Sequence, residues 1–257
     1  MSVVSEKKLN YLLQHWKKGI PLTTAELKKW GYSPQLLNRY KQSGWIESLG
    51  QSAYKLKGQE VHWSGALHTL QTYLKKPLHV GGITALEWNG LAHYLNMGNR
   101  SIYLYGMGKQ DLPKWFIRIV DPLDVIIQEA QLLTGETKHL NKRTFGDYEV
   151  SYSVLEQAYL ELLFSVPSHI SFTEAREVAG NLNLLRTPVL QNLLEQSRSI
   201  KVNRLALYLG EYHEHEWMQK LGTESISLGK GKRVIYPGGV FNEKYKITVA
   251  PDSEEKF

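Results

Sequence analysis

Thr23-Thr24-Ala25-Glu26-Leu27-Lys28-Lys29-Trp30-Gly31-Tyr32-Ser33-Pro34-Gln35-Leu36-Leu37-Asn38-Arg39-Tyr40-Lys41-Gln42-Ser43-Gly44 is the stretch on which the fold turns. Thr23 and Glu26 have the spacing of a capping box, in which the hydroxyl accepts a backbone N–H and the carboxylate reaches back. The helix they open runs to about Trp30 and stops at Gly31. Ser33 is an N-cap residue, and Pro34 fits the first helical position, where a missing N–H costs nothing. A further helix therefore starts there and ends near Ser43-Gly44. Two helices joined by a short turn containing Gly give helix-turn-helix spacing.

Upstream, Leu9, Leu12, Leu13 and Trp16 recur at spacings of three and four, the stripe of a helix with one buried face, and Gly19 and Pro21 end it. Downstream, Trp45, Ile46 and Leu49 lead into Gly50-Gln51-Ser52, and Ala53 to Lys57 return, which reads as a hairpin. Three helices and then a hairpin is the order of a winged helix. In the third helix Leu36, Leu37 and Tyr40 share the inward face, leaving Gln35, Asn38, Arg39, Lys41 and Gln42 outward. Amide and guanidinium side chains make bidentate contacts with base edges in the major groove. Lys17, Lys18, Lys28 and Lys29 lie at helix ends, where phosphate contacts set a docking register. Ser33 at the helix start and Gln51, Tyr54 and Lys55 in the hairpin complete the expected DNA-binding set. The alternative for this module is a solvated, Lys-rich surface or a winged helix that contacts only protein.

The charge distribution supports the same division. The 257 residues carry 31 Lys/Arg, 25 Asp/Glu, nine His and no Cys, a formal charge of +6. Residues 1–57 hold ten of the bases and three of the acids, net +7, and the other 200 residues are net −1. A basic module of 1–57 joined to a near-neutral body of 58–257 points to a polyanion-binding domain attached to something else. Without Cys there are no disulfides, thiolate metal sites or Cys nucleophiles. Apolar runs of membrane-spanning length and a signal-peptide block are both missing, so a cytoplasmic protein with no membrane partner is expected.

Beyond Gly58 the elements mix without βαβ alternation, so the fold class expected is α+β, a winged helix-turn-helix followed by a larger mixed α/β domain. Helices are expected from Val61 to Leu74, from a capping box at Thr84–Glu87, over Asp124–Leu133, from a capping box at Ser153–Glu156 through Phe164, from Ser171, near Pro188, and over Asn203–Leu221. Strands are expected at His79-Val80, Ser101–Tyr105, Trp115–Val120, Val234–Tyr236 and Tyr245–Val249, with turns at Asn141–Asp147 and an acidic end at Asp252–Glu255.

Ser43-Gly44-Trp45-Ile46 with Gly50, Ala53 and Tyr54, then Trp63-Ser64-Gly65-Ala66-Leu67, and above all His79-Val80-Gly81-Gly82-Ile83-Thr84-Ala85-Leu86-Glu87 continuing to Gly90-Leu91-Ala92-His93-Tyr94-Leu95, resemble the AbiEi antitoxins of bacterial type IV (abortive infection) toxin–antitoxin systems. The resemblance is sharpest over residues 23–120. It implies an N-terminal winged helix that represses its own operon through inverted repeats in double-stranded DNA. It also implies a C-terminal domain that neutralises a cognate AbiEii-like nucleotidyltransferase toxin, without a stable complex being needed. It implies no catalytic residues and no cofactor.

Other stretches carry weaker chemical signals. Gly106-Met107-Gly108-Lys109 fails as a phosphate loop, because Gln110 follows and Tyr103 precedes it where Gly is needed. Gly229-Lys230-Gly231-Lys232-Arg233 reads as a turn between strands or as a minor phosphate contact. Glu211, His213, Glu214, His215 and Glu216 pair at helical spacings (His213 with Glu216, Glu211 with His215), as a metal site or a solvated face. Asp124, Glu136 and Lys138 loosely imitate a metal-dependent nuclease. His79 and His93 read as packing residues. The competing functions are thus a nuclease-like enzyme and a regulator with a small-molecule pocket in the larger domain.

Overall fold

The computed structural model describes residues 3–91, 101–129, 132–133 and 139–251. In chain order its helices are α1 (Val3–His15), α2 (Thr24–Lys29), α3 (Pro34–Gln42), α4 (Trp63–Thr72), α5 (Gly82–Trp88), α6 (Lys114–Val120), α7 (Leu155–Phe164), α8 (Phe172–Gly180), α9 (Thr187–Gln196), α10 (Ile200–Tyr212) and α11 (Glu216–Gln219). Its strands are β1 (Leu22–Thr23), β2 (Ile46–Gly50), β3 (Ala53–Leu56), β4 (His79–Val80), β5 (Ile102–Tyr105), β6 (Val125–Gln128), β7 (Leu140–Phe145), β8 (Tyr148–Ser153), β9 (Arg233–Val234), β10 (Val240–Asn242) and β11 (Ile247–Val249). The class is α+β.

The winged helix forms where its caps place it. The Thr23 hydroxyl accepts from the Glu26 amide and the Ser33 hydroxyl from the Leu36 amide, each at 3.2 Å. The Glu26 carboxylate turns to Lys29, 3.0 Å away, rather than closing the box. Gly31 and Gly44 follow the caps of α2 and α3 with φ of 85° and 71°. The Tyr32 and Trp45 amides donate back to the Leu27 and Tyr40 carbonyls, a closure that needs a left-handed residue just before them. The sheet order is β1-β3-β2, antiparallel throughout. β1, two residues long, is too short to carry any alternation and was not legible in the sequence. Leu9, Leu12, Trp16, Ile20, Leu22, Leu27, Leu37, Tyr40 and Ile46 make one buried core. Leu13, expected on the buried stripe of α1, is 37% exposed.

Two compact units divide the chain, and the first does not stop at the wing. It comprises Met1–His79, Met107–Val125 and Lys142–Ser151. A Cβ on Gly65 in α4 would stand 2.1 Å from the Gly19 carbonyl oxygen, so only glycine allows this approach. One turn on, the Thr69 hydroxyl donates to the Pro21 carbonyl at 2.6 Å. Trp115 to Val120, expected as a strand, is the helix α6: Trp115, Phe116 and Val120 are buried on one face, and Pro113 sets the entry. Its β-branched residues misled because packing overrides propensity over so short an element. Asn141 to Asp147, expected as turns, is mostly β7, whose residues 140–144 are all exposed and so show no apolar alternation. Counting by unit, the first holds 17 Lys/Arg and nine Asp/Glu, net +8, and the second is net −2.

The second unit comprises Val80–Gly106, Ile126–Asn141 and Tyr152–Phe257. α7 runs through its core, buried along nearly its whole length against α5, α8, α9 and α10. Within it β6 lies beside β5, and Val80 of β4 pairs in parallel with Tyr152 at the end of β8. Asp124–Leu133, expected as a helix, contains β6 instead, since Val125-Ile126-Ile127 is a β-branched run laid beside β5. The two downstream capping boxes do not form. α5 begins at Gly82, and the Thr84 hydroxyl accepts from the Tyr103 amide at 3.0 Å. Ser153 donates to Glu161 at 2.7 Å instead of capping α7. The long helix expected over Asn203–Leu221 breaks after Tyr212, with Glu214 at φ 55°, into α10 and α11. Ala92 to Leu95, Glu136, Lys138 and Asp252–Glu255 lie outside the described residues.

Candidate nucleic-acid interface

α3 turns its sequence into a two-sided surface. Leu37 and Tyr40 are buried and Leu36 is half-buried, while Gln35, Asn38, Arg39, Lys41 and Gln42 are exposed. With about 100° per residue, the direction opposite the buried face falls between Asn38, Gln42 and Gln35, and Arg39 and Lys41 flank it on either side. Amides thus occupy the crest and cations the margins. The helix is held from beneath by Tyr32, whose hydroxyl donates to the Lys8 carbonyl at 2.8 Å. Burial, helped by the neighbouring phenol of Tyr40, pushes the Tyr32 hydroxyl up to about 12, so it stays a donor.

The remaining expected residues fall on either side of that crest along the chain. Ser33 is exposed, and its hydroxyl is engaged in capping α3. Lys28 and Lys29 are exposed on the last turn of α2, with Lys29 paired to Glu26. Gln51 is exposed in the turn of the wing. Tyr54 is half-buried and packs against the winged-helix core. Lys55 is 26% exposed and paired with Glu47 at 3.2 Å, the most enclosed cation of the set. Lys17 is directed elsewhere, its ammonium donating to the Asp147 carbonyl at 2.6 Å.

The sequence did not single out one cation, Arg118, that α6 carries to the tip of the wing. Lys114 and Arg118 are exposed, and the Arg118 guanidinium lies 3.0 Å from where a Gly50 Cβ would be. The signal was present as a Pro followed by apolar residues at helical spacing, and the strand assignment concealed it.

The other constellations are accounted for by their neighbours. Glu211 is held by Lys244 at 2.7 Å and by the Tyr245 hydroxyl at 2.6 Å. His213 and His215 meet the Arg176 and Ala179 carbonyls of α8, each at 2.8 Å, which joins the end of α10 to α8. Among the described residues no three His, Cys, Asp or Glu side chains gather to hold a metal. Lys109 pairs with Asp121 at 2.8 Å, and His79 is buried. No helix among the described residues is long and apolar enough to cross a membrane.

A winged helix with an amide crest on α3 and a +8 unit around it defines a DNA-binding regulator by its build. The chain belongs to the AbiEi antitoxin family: residues 99–250 match the family described as "Transcriptional regulator, AbiEi antitoxin, Type IV TA system", and residues 5–97 match its N-terminal domain. Among solved structures it is similar to the RV2827C protein from Mycobacterium tuberculosis, with 12% identity and a TM-score of 0.62, covering 97% of this chain and 92% of that one. At that identity the likeness is one of fold. No curated protein matches the chain.

Proposed function

We propose that this antitoxin regulator represses its own operon by placing α3 in the major groove of inverted repeats and neutralises a cognate AbiEii-like nucleotidyltransferase toxin through its second unit. It acts in the cytoplasm and without catalysis. The exposed crest of α3 carries the reading: amides and a guanidinium turned outward from a capped, well-packed helix. Gln35, Asn38, Arg39 and Gln42 read bases. Lys28, Lys29, Lys41 and the Ser33 end of the helix meet phosphate, with Gln51, Tyr54, Lys55 and Arg118 along the wing.

Mobility-shift assays with the operon's own promoter test it. Asn38→Ala or Arg39→Ala should weaken operator binding selectively by about 1–3 kcal/mol, the worth of a bidentate base contact. Lys28→Ala with Lys29→Ala should weaken all DNA alike and flatten the salt dependence. Wild-type retardation by both sets of variants would rule out α3 as the reading helix. Growth rescue on co-expression with the neighbouring toxin gene tests the second unit.

A further inference from the structure

The second unit, net −2 overall, gathers four cations in one place. Arg198, Ser199, Ile200, Arg233, Phe164 and Glu129 line a cavity of about 380 Å³. Both guanidiniums are exposed, and among the described residues no carboxylate stands within ion-pair distance of either. Behind them Lys201 is held by the Phe164 carbonyl at 2.7 Å and by the Val166 carbonyl. Its ammonium is lowered to about 8, first by burial and then by Arg233. Arg204, 1% exposed, donates to the Leu228 carbonyl at 2.6 Å, and it too is lowered by burial and by Arg233. The Gly229-Lys230-Gly231-Lys232-Arg233 loop brings the fourth cation: Gly229 rests on Ile200, and the Gly231 carbonyl accepts from Arg204 at 2.5 Å.

Cations set side by side in a partly buried site repel one another, and a bound anion removes that cost. Guanidinium forks match the paired oxygens of phosphate, and two of them on one cavity, against the single carboxylate of Glu129, suit a phosphate anion. Phe164 and Ile200 supply an apolar wall for an attached organic group. From this cluster we infer that the cavity lined by Arg198 and Arg233, with Lys201 and Arg204 packed nearby, is a binding site for a small phosphomonoester, with the two arginines gripping the phosphate. The site lies entirely in the second unit and does not depend on the DNA-binding reading.

Calorimetry and thermal-shift measurements on the full chain at low ionic strength test it, with adenosine 5′-monophosphate as probe. Inorganic phosphate, adenosine and a short RNA lacking terminal phosphates are the comparison arms. The monophosphate should bind and raise the melting temperature, inorganic phosphate should compete, and adenosine should do neither. Arg198→Gln with Arg233→Gln should weaken binding about tenfold or more, as loss of charge-assisted hydrogen bonds requires. Their unliganded melting temperature should not fall, because both side chains are exposed and their removal relieves repulsion among the cations; if the double variant fails to fold, Arg233→Gln alone reads the same loss. Failure of the monophosphate to bind at millimolar concentration would overturn the site, as would unchanged binding by the variants. So would equal binding of adenosine, or binding of the RNA alone.

Discussion

The Gly82 amide donates to Glu161 Oε2 at 3.0 Å, so a buried carboxylate on α7 holds the start of α5. Ser153 donates to the same oxygen at 2.7 Å, and Gln157 donates to Oε1 at 2.8 Å. The Gly81-Gly82 pair follows from this contact. A Cβ on Gly81 would stand 2.2 Å from Glu161 Oε2 and 2.5 Å from Tyr105 Cδ2, and Gly82 sits at φ 51°. Gly81→Ala should therefore destabilise the protein by about 1–3 kcal/mol, as overpacking does. Glu161→Gln should cost about as much, because its amide turns a donor toward donors. Urea denaturation checks both, and wild-type midpoints would show that the network contributes nothing.

Glu156 and Arg186 make a second buried anchor. The carboxylate is 1% exposed and receives the Arg186 Nε at 2.9 Å, Nη2 at 2.7 Å and backbone amide at 2.8 Å. Burial works against the charge, but the Arg186 hydrogen bonds prevail and hold the carboxyl below its usual range. A carboxyl lowered on folding contributes stability above its unfolded value, near 4.5, and loses it as pH falls through the folded one. Arg186→Ala should cost about 1–3 kcal/mol at neutral pH, less than for a fully buried pair because the guanidinium faces solvent. It should also flatten the acid limb of the stability profile; an unchanged limb would place acid sensitivity elsewhere.

Lys201 predicts a rise in stability on the alkaline side. Its ammonium titrates near 8 when folded and near 10.5 when unfolded, so the unfolded chain holds more protons in between and stability grows with pH across that window. Above about pH 10 raised tyrosines such as Tyr32 act oppositely, since the folded state then keeps more protons. Chemical denaturation at pH values from 8 to just below 10 should show the rise in wild type and a flat profile in Lys201→Met. Equal slopes would mean that Lys201 is not desolvated.

The chain enters the first unit three times, so no single cut separates it. Removing residues 1–57 takes away the Gly19 and Pro21 backbone against which Gly65 and Thr69 of α4 pack. That fragment should melt well below the full chain or aggregate, and its failure to rescue cells would then report folding rather than the location of toxin neutralisation. Gly65→Ala should destabilise the full chain by about 1–3 kcal/mol, since its clash is with backbone. A fragment of 58–257 that melts like the full chain would contradict this packing.

Much of the interface was legible because it is local. Ser33, Pro34 and Gly44 bound α3 by interactions within a few residues of each, and the spacing of Leu36, Leu37 and Tyr40 decides which side chains face out. Other elements depended on neighbours distant in sequence. β1 exists only because β3 pairs with it, and β7 is an exposed edge with no apolar period. Thr84 and Ser153 imitate caps until the Tyr103 amide and Glu161 claim their hydroxyls.

By itself, then, the sequence determined the α+β class, the winged helix, the outward face of α3 and the concentration of positive charge near the N-terminus. Capping, helical period and net charge are properties of adjacent residues. Only the tertiary structure decided that Arg118 stands by the wing, that His213 and His215 fasten the end of α10 to α8, and that Arg198 and Arg233 line one cavity with Lys201 and Arg204 close to Arg233. Those relations join residues up to about 70 positions apart, and no local pattern encodes a contact that the packed chain alone brings within hydrogen-bond reach.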